Sequence, residues 1–589
     1  MKVILRDRYF IPAEGVDKHQ LRRHTEVKFV TKAFCRPKCP IARQQGRYCS
    51  TCPSRDAKIR MWSKVVTKQG RTLIAIPAGN DSILKKVVTK PVEIIDRRTN
   101  PPMRSKLKWT GKLRRGEIDA AGKQAPNQKQ LLDAWRLKVQ TDTAAIIVAL
   151  PRTGKTVIGV AASIAERSRT FITGSQSRFL HQFGMTYGRM TNVKEYYNNG
   201  RFPVVLVDPK GWPDAENYGI KVVKKWGKEV ERADVVLSTY QQFISEKGKQ
   251  RLRNFVDGKF GLFIVDEAHT VAAPCFSRVV HRTNSRRKLA LTATLTRKDG
   301  LTPVVQAVFG SVASVSKATA TIPNLKLFET GVVAPRDYKQ WAYMEKFLTT
   351  NEGRNKLIVQ RIFADLRANP KHSILIPTTR IQHNETLVRM INAQAEYCRK
   401  HKGEDWPAEL AVSYRGGKDI TTILKRVDSG DVRVTVATYS MVKYGIDVQR
   451  WTHVYLGIVP TSNAANAYQA LNRVCTPYTP QLEAKIGSKP TPVVRFVIDE
   501  MPASIYCFIK LWKNPNYGLL GALTGKNYYG VKLARMDQQS RNRAEDIVRF
   551  PKSYSAQDAG INKLQSKTSK GFLRRGNSWA PERSGIMSF

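Results

Sequence analysis

The sequence predicts an α/β protein of two tandem parallel-sheet lobes, preceded by a small cysteine-bearing α+β region and followed by a basic C-terminal extension. Three stretches carry that reading. An apolar run, Ala144 to Val148, leads into Ala149-Leu150-Pro151-Arg152-Thr153-Gly154-Lys155-Thr156 and then a helix-like segment, Val157 to Arg167. A second apolar run, from Phe260, ends in Asp266-Glu267-Ala268-His269. Farther on, strand-like runs at Ser373 to Thr378, Ala411 to Tyr414 and Val432 to Thr438 alternate with helical patterns, the signature of another parallel sheet, this time without a phosphate loop.

The first stretch reads as strand, phosphate loop, helix. Backbone N–H groups of such a loop and the positive end of its helix face an anion, Lys155 reaches the β/γ-phosphates, and Thr156 can hold Mg²⁺. Ala149 stands where the usual pattern has its first glycine. In the second stretch, acids at a strand's carboxyl end lie where open α/β sheets bind ligands. Asp266 would complete the Mg²⁺ shell, and Glu267 would polarise the water that attacks the γ-phosphate. Both signals in this order, each behind its own strand, point to an ATPase.

Composition sets the partner class. Of 589 residues, 100 are Lys or Arg and 47 Asp or Glu, a net charge of +53 spread along the chain, which suits a phosphate backbone. No apolar run reaches membrane-spanning length, and the start, Met1-Lys-Val-Ile-Leu-Arg, lacks a signal peptide's apolar core, so a soluble, cytoplasmic protein without a membrane partner is expected. The expected divisions are 1–70, the cysteine region; 71–108, a small α/β accessory unit; 109–322 and 323–500, the lobes; and 501–589, the extension and tail.

Cys35, Cys39, Cys49 and Cys52 are spaced C-x3-C-x9-C-x2-C. Four thiolates close a tetrahedral Zn²⁺ shell and leave no open position, so the site would be structural; free thiols or an iron–sulfur cluster are the other readings. The remaining cysteines are scattered and read as ordinary buried thiols. The accessory unit offers a strand at Thr72 to Pro77, a helix at Ser82 to Val88 and a strand at Val92 to Asp96, then a turn-rich linker, Arg97 to Pro102. Gln128 precedes a helical pattern of Leu131, Leu132, Trp135 and Leu137; its amide could read an adenine edge or be solvated. Near the C-terminus, Tyr506, Phe508, Trp512, Tyr517, Tyr528 and Tyr529 stand among many cations, a composition that suits either base stacking or a packed subdomain.

The order of Gln128, phosphate loop, Asp-Glu-Ala-His and Leu291-Thr292-Ala293-Thr294-Leu-Thr-Arg297-Lys-Asp299-Gly300 resembles that of superfamily 2 helicases of the DEAH type. With Asp96-Arg97-Arg98 and Leu107 to Leu113, it is most similar to XPB-like repair helicases and phage UvsW-type branch-migration helicases, over roughly Leu73 to Glu500. The resemblance implies two RecA-like lobes with ATP and Mg²⁺ bound in the cleft between them, and DNA, branched or forked rather than RNA, as substrate. It implies nucleic-acid contacts by Ser175, Gln182, Thr239, Thr378 and Thr438, ribose contacts through Gly445 and Asp447, and coupling through His269, Thr292, Thr294 and Gln469. Arg473 would stabilise the developing phosphoryl charge. Two departures stand out: the motif's glycine is Asn472 and its last arginine is Thr476. An ATP-driven remodelling translocase and a zinc-containing nucleic-acid-binding protein with a weakened ATPase are therefore the alternatives.

Overall fold

Short strands with alternating burial open the chain. In Lys2–Leu5 and Arg8–Pro12 every second side chain is buried, so each strand has one apolar face. The computed structural model describes residues 1–28, 58–79, 81–113, 128–149, 153–272, 276, 279–280, 283–293, 295, 301–315, 323–333, 341–414, 420–443, 448–458, 464–476, 478, 480–512, 535–549 and 586–588. Two compact units emerge, one of residues 1–318 with 577–589, the other of residues 319–576.

In the first unit the opening strands join Ser63–Val66, Thr72–Pro77 and Glu93–Asp96 in a five-stranded sheet, with Lys2–Leu5 parallel to Glu93–Asp96 and the other pairings antiparallel. Val3, Leu5, Tyr9, Ile11, Ile74 and Ile76 pack against Leu21 and Leu84 of two covering helices, Lys18–Thr25 and Asp81–Val87. The sheet therefore draws strands from both sides of residue 70, where a division was expected. The first twelve residues were passed over because Arg6, Asp7 and Arg8 interrupt the apolar pattern at the hairpin's turn.

The linker after Asp96 is a strap laid across the amino-terminal edge of a larger sheet. Thr99 N–H donates to the Asn284 carbonyl (2.9 Å), Met103 N–H to that of Arg167 (2.9 Å), and Thr110 N–H to that of Met190 (2.9 Å). The buried Asp234 carboxylate accepts the backbone N–H groups of Arg104 and Ser105, each at 2.8 Å. The eight strands of that sheet are all parallel, in the order Lys221–Val223, Val204–Val207, Val235–Thr239, Thr170–Gly174, Leu262–Asp266, Arg287–Thr292, Ala144–Val148, Val312–Val315. Its central strands are apolar runs buried along their whole length, as a sheet covered on both faces demands.

The second unit is another all-parallel sheet, ordered Ala411–Tyr414, Val434–Thr438, Ile374–Thr378, His453–Leu456, Val493–Glu500, Asn324–Val333, Arg535–Met536. Asn324–Val333 is a ten-residue strand of this sheet. The expected C-terminal extension begins with the helix Pro502–Trp512, whose Phe508, Leu511 and Trp512 are buried with Leu325 and Phe496, so these aromatics are core and do not stack on bases. A keystone lies behind them. Arg354 and Asp499, both fully buried, pair at 2.7 and 3.0 Å, and Arg354 also donates to the Ile458 carbonyl at 2.6 Å. Among the described residues no helix is long and apolar enough to cross a membrane.

Lys288, near the start of its strand, is 5% exposed. Burial pushes its ammonium down to about 8, and Asp7 opposes that shift less strongly than burial imposes it. The folded state thus holds the charged form at a penalty that is full below about pH 8 and disappears between there and the ordinary lysine value of 10.5. Lys288→Met is expected to raise stability at pH 7 by about 1–3 kcal/mol. It should also flatten the rise in stability of the native chain between pH 8 and 10, read by urea unfolding across that range.

Candidate nucleotide site and nucleic-acid edge

Three adjacent parallel strands position the phosphate-binding and acidic residues. Asp266 is level with Leu291, and Thr292 with Val148, so the carboxyl ends of Leu262–Asp266, Arg287–Thr292 and Ala144–Val148 finish together. Ala149 N–H donates to the Thr292 carbonyl at 2.8 Å, pinning the chain where it leaves its strand. Leu150, Pro151 and Arg152 lie outside the described residues. The loop re-emerges at Thr153 and enters the helix Lys155–Glu166 through Gly154, whose backbone is left-handed (φ 84°, ψ 44°). Glycine takes that conformation without the strain another residue would incur.

Lys155 Nζ lies 3.6 Å from Glu267 Oε1, and His269 Nδ1 lies 3.3 Å from Glu267 Oε2 and 3.2 Å from Thr292 Oγ1. Glu267 has φ 50°, a left-handed conformation rare for a residue with a Cβ; the turn it makes aims its carboxylate at Lys155 and His269. Burial works against that carboxylate, but Lys155 and His269 outweigh it and hold its pKa low. Its neighbour moves the other way: burial, then the Glu267 charge, pushes Asp266 up. Asp266 Oδ1 is buried and has no hydrogen-bond partner.

An unpartnered buried carboxylate oxygen near a helix N-terminus suits a divalent cation that brings its own water and phosphate ligands, as Mg²⁺ does. Among the described residues no group of three or more His, Cys, Asp or Glu side chains could hold a metal by itself. Thr156, in the first turn of the helix, is half-buried. Thr294 and the four cysteines, Cys35, Cys39, Cys49 and Cys52, lie outside the described residues.

Next along the same edge stand the residues expected at nucleic acid. Gly174 pairs with Thr239, so Ser175 and Thr239 occupy the carboxyl ends of neighbouring strands, both half-buried. Gln241 Nε2 donates to the Ser175 carbonyl at 2.7 Å. Gln182 is half-buried in the helix Ser177–Met190. In the second unit Thr378 pairs with Thr438 across neighbouring strands. Thr438 is half-buried, with its hydroxyl 2.9 Å from that of Ser440. Thr378 departs from expectation: it is fully buried, and its hydroxyl donates to Asn384 Oδ1 and the Arg380 carbonyl. Its neighbour Thr379 is exposed, and the Thr379 hydroxyl donates to Glu345 Oε1.

Gly445 and Asp447 lie outside the described residues. Gln469 and Arg473 share the helix Ala464–Val474. Arg473 Nε donates to the Val442 carbonyl at 3.0 Å, and Gln469 Oε1 is buried without a hydrogen-bond partner. Where the family pattern has its last arginine, the Thr476 hydroxyl donates to the Arg473 carbonyl at 3.2 Å. The Thr476 carbonyl accepts from Lys489 Nζ, which places a cation beside that position that no motif had indicated.

A phosphate-loop pattern and an Asp-Glu pair at neighbouring strand ends of a parallel sheet resemble a nucleotide-binding core of phosphate-loop type. The proteins this chain is similar to include helicases. Residues 122–297 match the family model described as "Type III restriction enzyme, res subunit". The XPB helicase/translocase subunit of the transcription and DNA repair factor IIH from Schizosaccharomyces pombe is 28% identical over 159 residues, 26% of this chain and 17% of that protein. The "DNA 3'-5' helicase XPB" of Mycobacterium tuberculosis is 42% identical over 76 residues, 13% of this chain and 14% of that protein. The crystal structure of T4 UvsW aligns with 85% of this chain and 90% of that one at 16% identity and a TM-score of 0.33, a likeness too loose to add to the sequence matches. The chain thus resembles superfamily 2 helicases, XPB among them, while spanning less than a fifth of the length of either curated relative.

Lys155→Ala removes the cation that faces both the phosphate loop and Glu267. It is expected to weaken binding of a fluorescent adenosine triphosphate analogue about 10²-fold, the worth of a buried charge-assisted contact, as read by equilibrium titration.

Proposed function

We propose that this chain is an ATP-dependent DNA helicase or translocase of superfamily 2 that acts on branched DNA. The observation that carries the reading is the shared register of three strand ends, which gathers the phosphate-loop helix, Asp266-Glu267 and Thr292 at one edge of a parallel sheet. Lys155 and the N-terminus of its helix bind the β/γ-phosphates. Glu267, held ionised by Lys155 and His269, accepts a hydrogen bond from the attacking water and orients it. A magnesium ion, with Thr156 and Asp266 as its protein ligands, would neutralise phosphate charge when bound. Through its contacts with Glu267 and Thr292, His269 ties the acids to the middle strand, a route by which the two neighbouring edges sense each other. By resemblance to the helicase motif, Arg473 would be the residue whose planar charge serves a transferring phosphoryl group.

DNA as the substrate rests on the printed name of the mycobacterial relative and on the net charge of +53. The preference for branched DNA rests on the resemblance to UvsW-type enzymes. The proposed zinc knuckle of Cys35, Cys39, Cys49 and Cys52 rests on the spacing of its four thiols.

Phosphate release by the purified chain is expected to be stimulated most by forked DNA, less by single strands or duplex, and least by RNA. Glu267→Gln should abolish that stimulation while nucleotide binding persists, and Arg473→Ala should cut it about 10²-fold. No stimulation by any nucleic acid would instead favour a binding protein whose hydrolysis is weakened at Thr476. Displacement of a labelled strand from the fork separates a helicase from a translocase that remodels complexes. Cys49→Ser is expected to lose one equivalent of zinc by elemental analysis while keeping most of the ATPase activity; unchanged zinc content refutes the knuckle.

A further inference from the structure

The strand edge that carries Ser175 and Thr239 continues past them. Ser238 is level with Val207, and Val207 with Val223, so Asp208 and Lys224 leave the two outermost strands in a row with Thr239 and Ser175. Lys210, Lys224 and Lys225 are exposed there, and Arg178 is half-buried in the first turn of the helix Ser177–Met190. At about 4.8 Å between strands, the row from Ser175 to Lys224 runs about 14 Å. A nucleic-acid strand rises about 3.4 Å per phosphate, so the row is long enough for about four of them.

An acid sits among these cations, and it is covered. Asp208 is 2% exposed; its Oδ1 accepts the Lys210 N–H at 3.0 Å, and its Oδ2 lies 3.1 Å from His181 Nε2. The imidazole is held in a column of rings, stacked on Trp212 (centroids 4.8 Å apart, 6° between planes), which in turn stacks on Tyr218 (5.5 Å, 15°). The helix makes room for that column with glycine: a Cβ on Gly184 would lie 2.7 Å from Trp212 Cζ3, and one on Gly188 would lie 2.6 Å from the Tyr218 carbonyl oxygen. Residues 181, 184 and 188 share one helix face, so that face is given over to holding one ring in place. Glycine weakens a helix interior, and the close approach of Trp212 and Tyr218 is what these two glycines permit.

With Nε2 directed at Asp208, the other ring nitrogen of His181, Nδ1, has no hydrogen-bond partner among the described residues, and the side chain is 19% exposed. The charged groups that face the ring are Asp208 from the strand end and Arg178 from its own helix; Trp212 brings no charge. Burial lowers the imidazole's pKa, Asp208 opposes that shift without overcoming it, and Arg178 adds to it, so the free chain holds a neutral ring at pH 7. A phosphate oxygen at Nδ1 requires a donor there, and its negative charge favours the imidazolium. We propose that the nucleic-acid path runs past Thr239 over the ends of the two outermost strands, where Lys210, Lys224 and Lys225 hold backbone phosphates and His181 takes up one proton from solvent as Nδ1 closes on a phosphate oxygen. Asp208 then faces an imidazolium, and that charge-assisted contact offsets part of the cost of charging the ring. Affinity for nucleic acid is full below the free ring's pKa, itself under the ordinary histidine value of 6.5, and falls as pH rises until the bound ring also loses its proton. The inference rests on the nucleic-acid-translocating reading and adds a site to it.

The test is equilibrium binding of fluorescently labelled single-stranded DNA by the full chain without nucleotide, at constant ionic strength from about pH 5.5 to about pH 8.5, and at about pH 6 over a range of salt. The wild type should bind about tenfold more weakly at pH 8 than at pH 6, the worth of one charge-assisted hydrogen bond. His181→Gln, which keeps an N–H donor for Asp208 but cannot take up a proton, should lose that dependence. Lys224→Gln together with Lys225→Gln should lower the slope of log Kd against log salt by about 1.4, as expected when two phosphate contacts to a single strand are removed. Melting temperatures within a few degrees of the wild type show that the variants fold. Because both lysines are exposed, the salt measurement stands even where His181→Gln does not fold. A wild-type affinity indifferent to pH, a pH dependence that His181→Gln retains, or a salt slope that the double variant leaves unchanged overturns the inference while the translocase reading stands. Failure of the wild type to bind single-stranded, forked or duplex DNA overturns both.

Discussion

The chemistry of the first unit depends on the register of three parallel strands. Because side chains alternate faces along a strand, a slip of one residue between Leu262–Asp266 and Arg287–Thr292 would turn Asp266 to the opposite face and part Glu267 from Lys155. Pairing along Leu262–Asp266 is backed by apolar side chains buried on both faces, so a slip would also mismatch the covering layers. The phosphate loop inherits this register through one hydrogen bond, from Ala149 to Thr292. Thr292 therefore serves twice: its backbone sets the loop and its hydroxyl meets His269. Its β-propensity and its functional contact need not be weighed against each other, since one residue in one conformation satisfies both.

The two units treat buried charge in opposite ways. Arg354 and Asp499 are both fully buried, yet the guanidinium meets a bidentate carboxylate and a main-chain carbonyl, and the carboxylate accepts a further hydrogen bond from Thr330 at 2.6 Å. Such a pair adds little net stability over an apolar replacement, but it fixes which helix, which strand end and which loop come together. Lys288 has no comparable partner, and its pKa falls instead. The contrast follows from chain position. Asp499 ends the strand that pairs with the unit's first strand, where geometry must be specified, whereas Lys288 lies at an edge already fixed by the strap.

Much of the first unit was legible because its strands are buried on both faces. Such strands appear as uninterrupted apolar runs, and the residues that end them, Ala149 and Asp266, mark the carboxyl edge where ligands bind. Side-chain aim was not legible. Nothing in the letters Asp-Glu announces that Glu267 takes a positive φ, or that the Thr378 hydroxyl turns inward to Asn384 while Thr379 remains exposed. Half-exposed strands were missed for another reason. Asn324–Val333 carries Lys326 and Glu329 among its apolar residues, and its place in the sheet is fixed by pairing with Val493–Glu500, a contact more than a hundred residues away that no local pattern encodes. Phe508 and Trp512 read equally well as a stacking surface or a core until their burial beside Phe496 decided it, while Tyr517, Tyr528 and Tyr529 lie outside the described residues.

The strap and the helix that begins at Gln128 give the small N-terminal sheet a mechanical relation to the nucleotide site. The strap's hydrogen bonds to residues before the strands at 170, 235 and 287 fasten that sheet to the amino-terminal edge of the large one, the edge opposite the phosphate loop. Between the two sheets lies a polar cavity lined by Tyr9, Asp81 and Asp96 on one side and by Val139, Gln140 and Thr141 on the other. The last three belong to the end of the helix that starts at Gln128, a helix of fourteen residues and about 21 Å in length. One helix, buried along one face, therefore meets Thr153 at its first residue and the N-terminal sheet's cavity at its last turn. That one helix spans the distance between the small sheet's cavity and the residues that lead into the helix Lys155–Glu166.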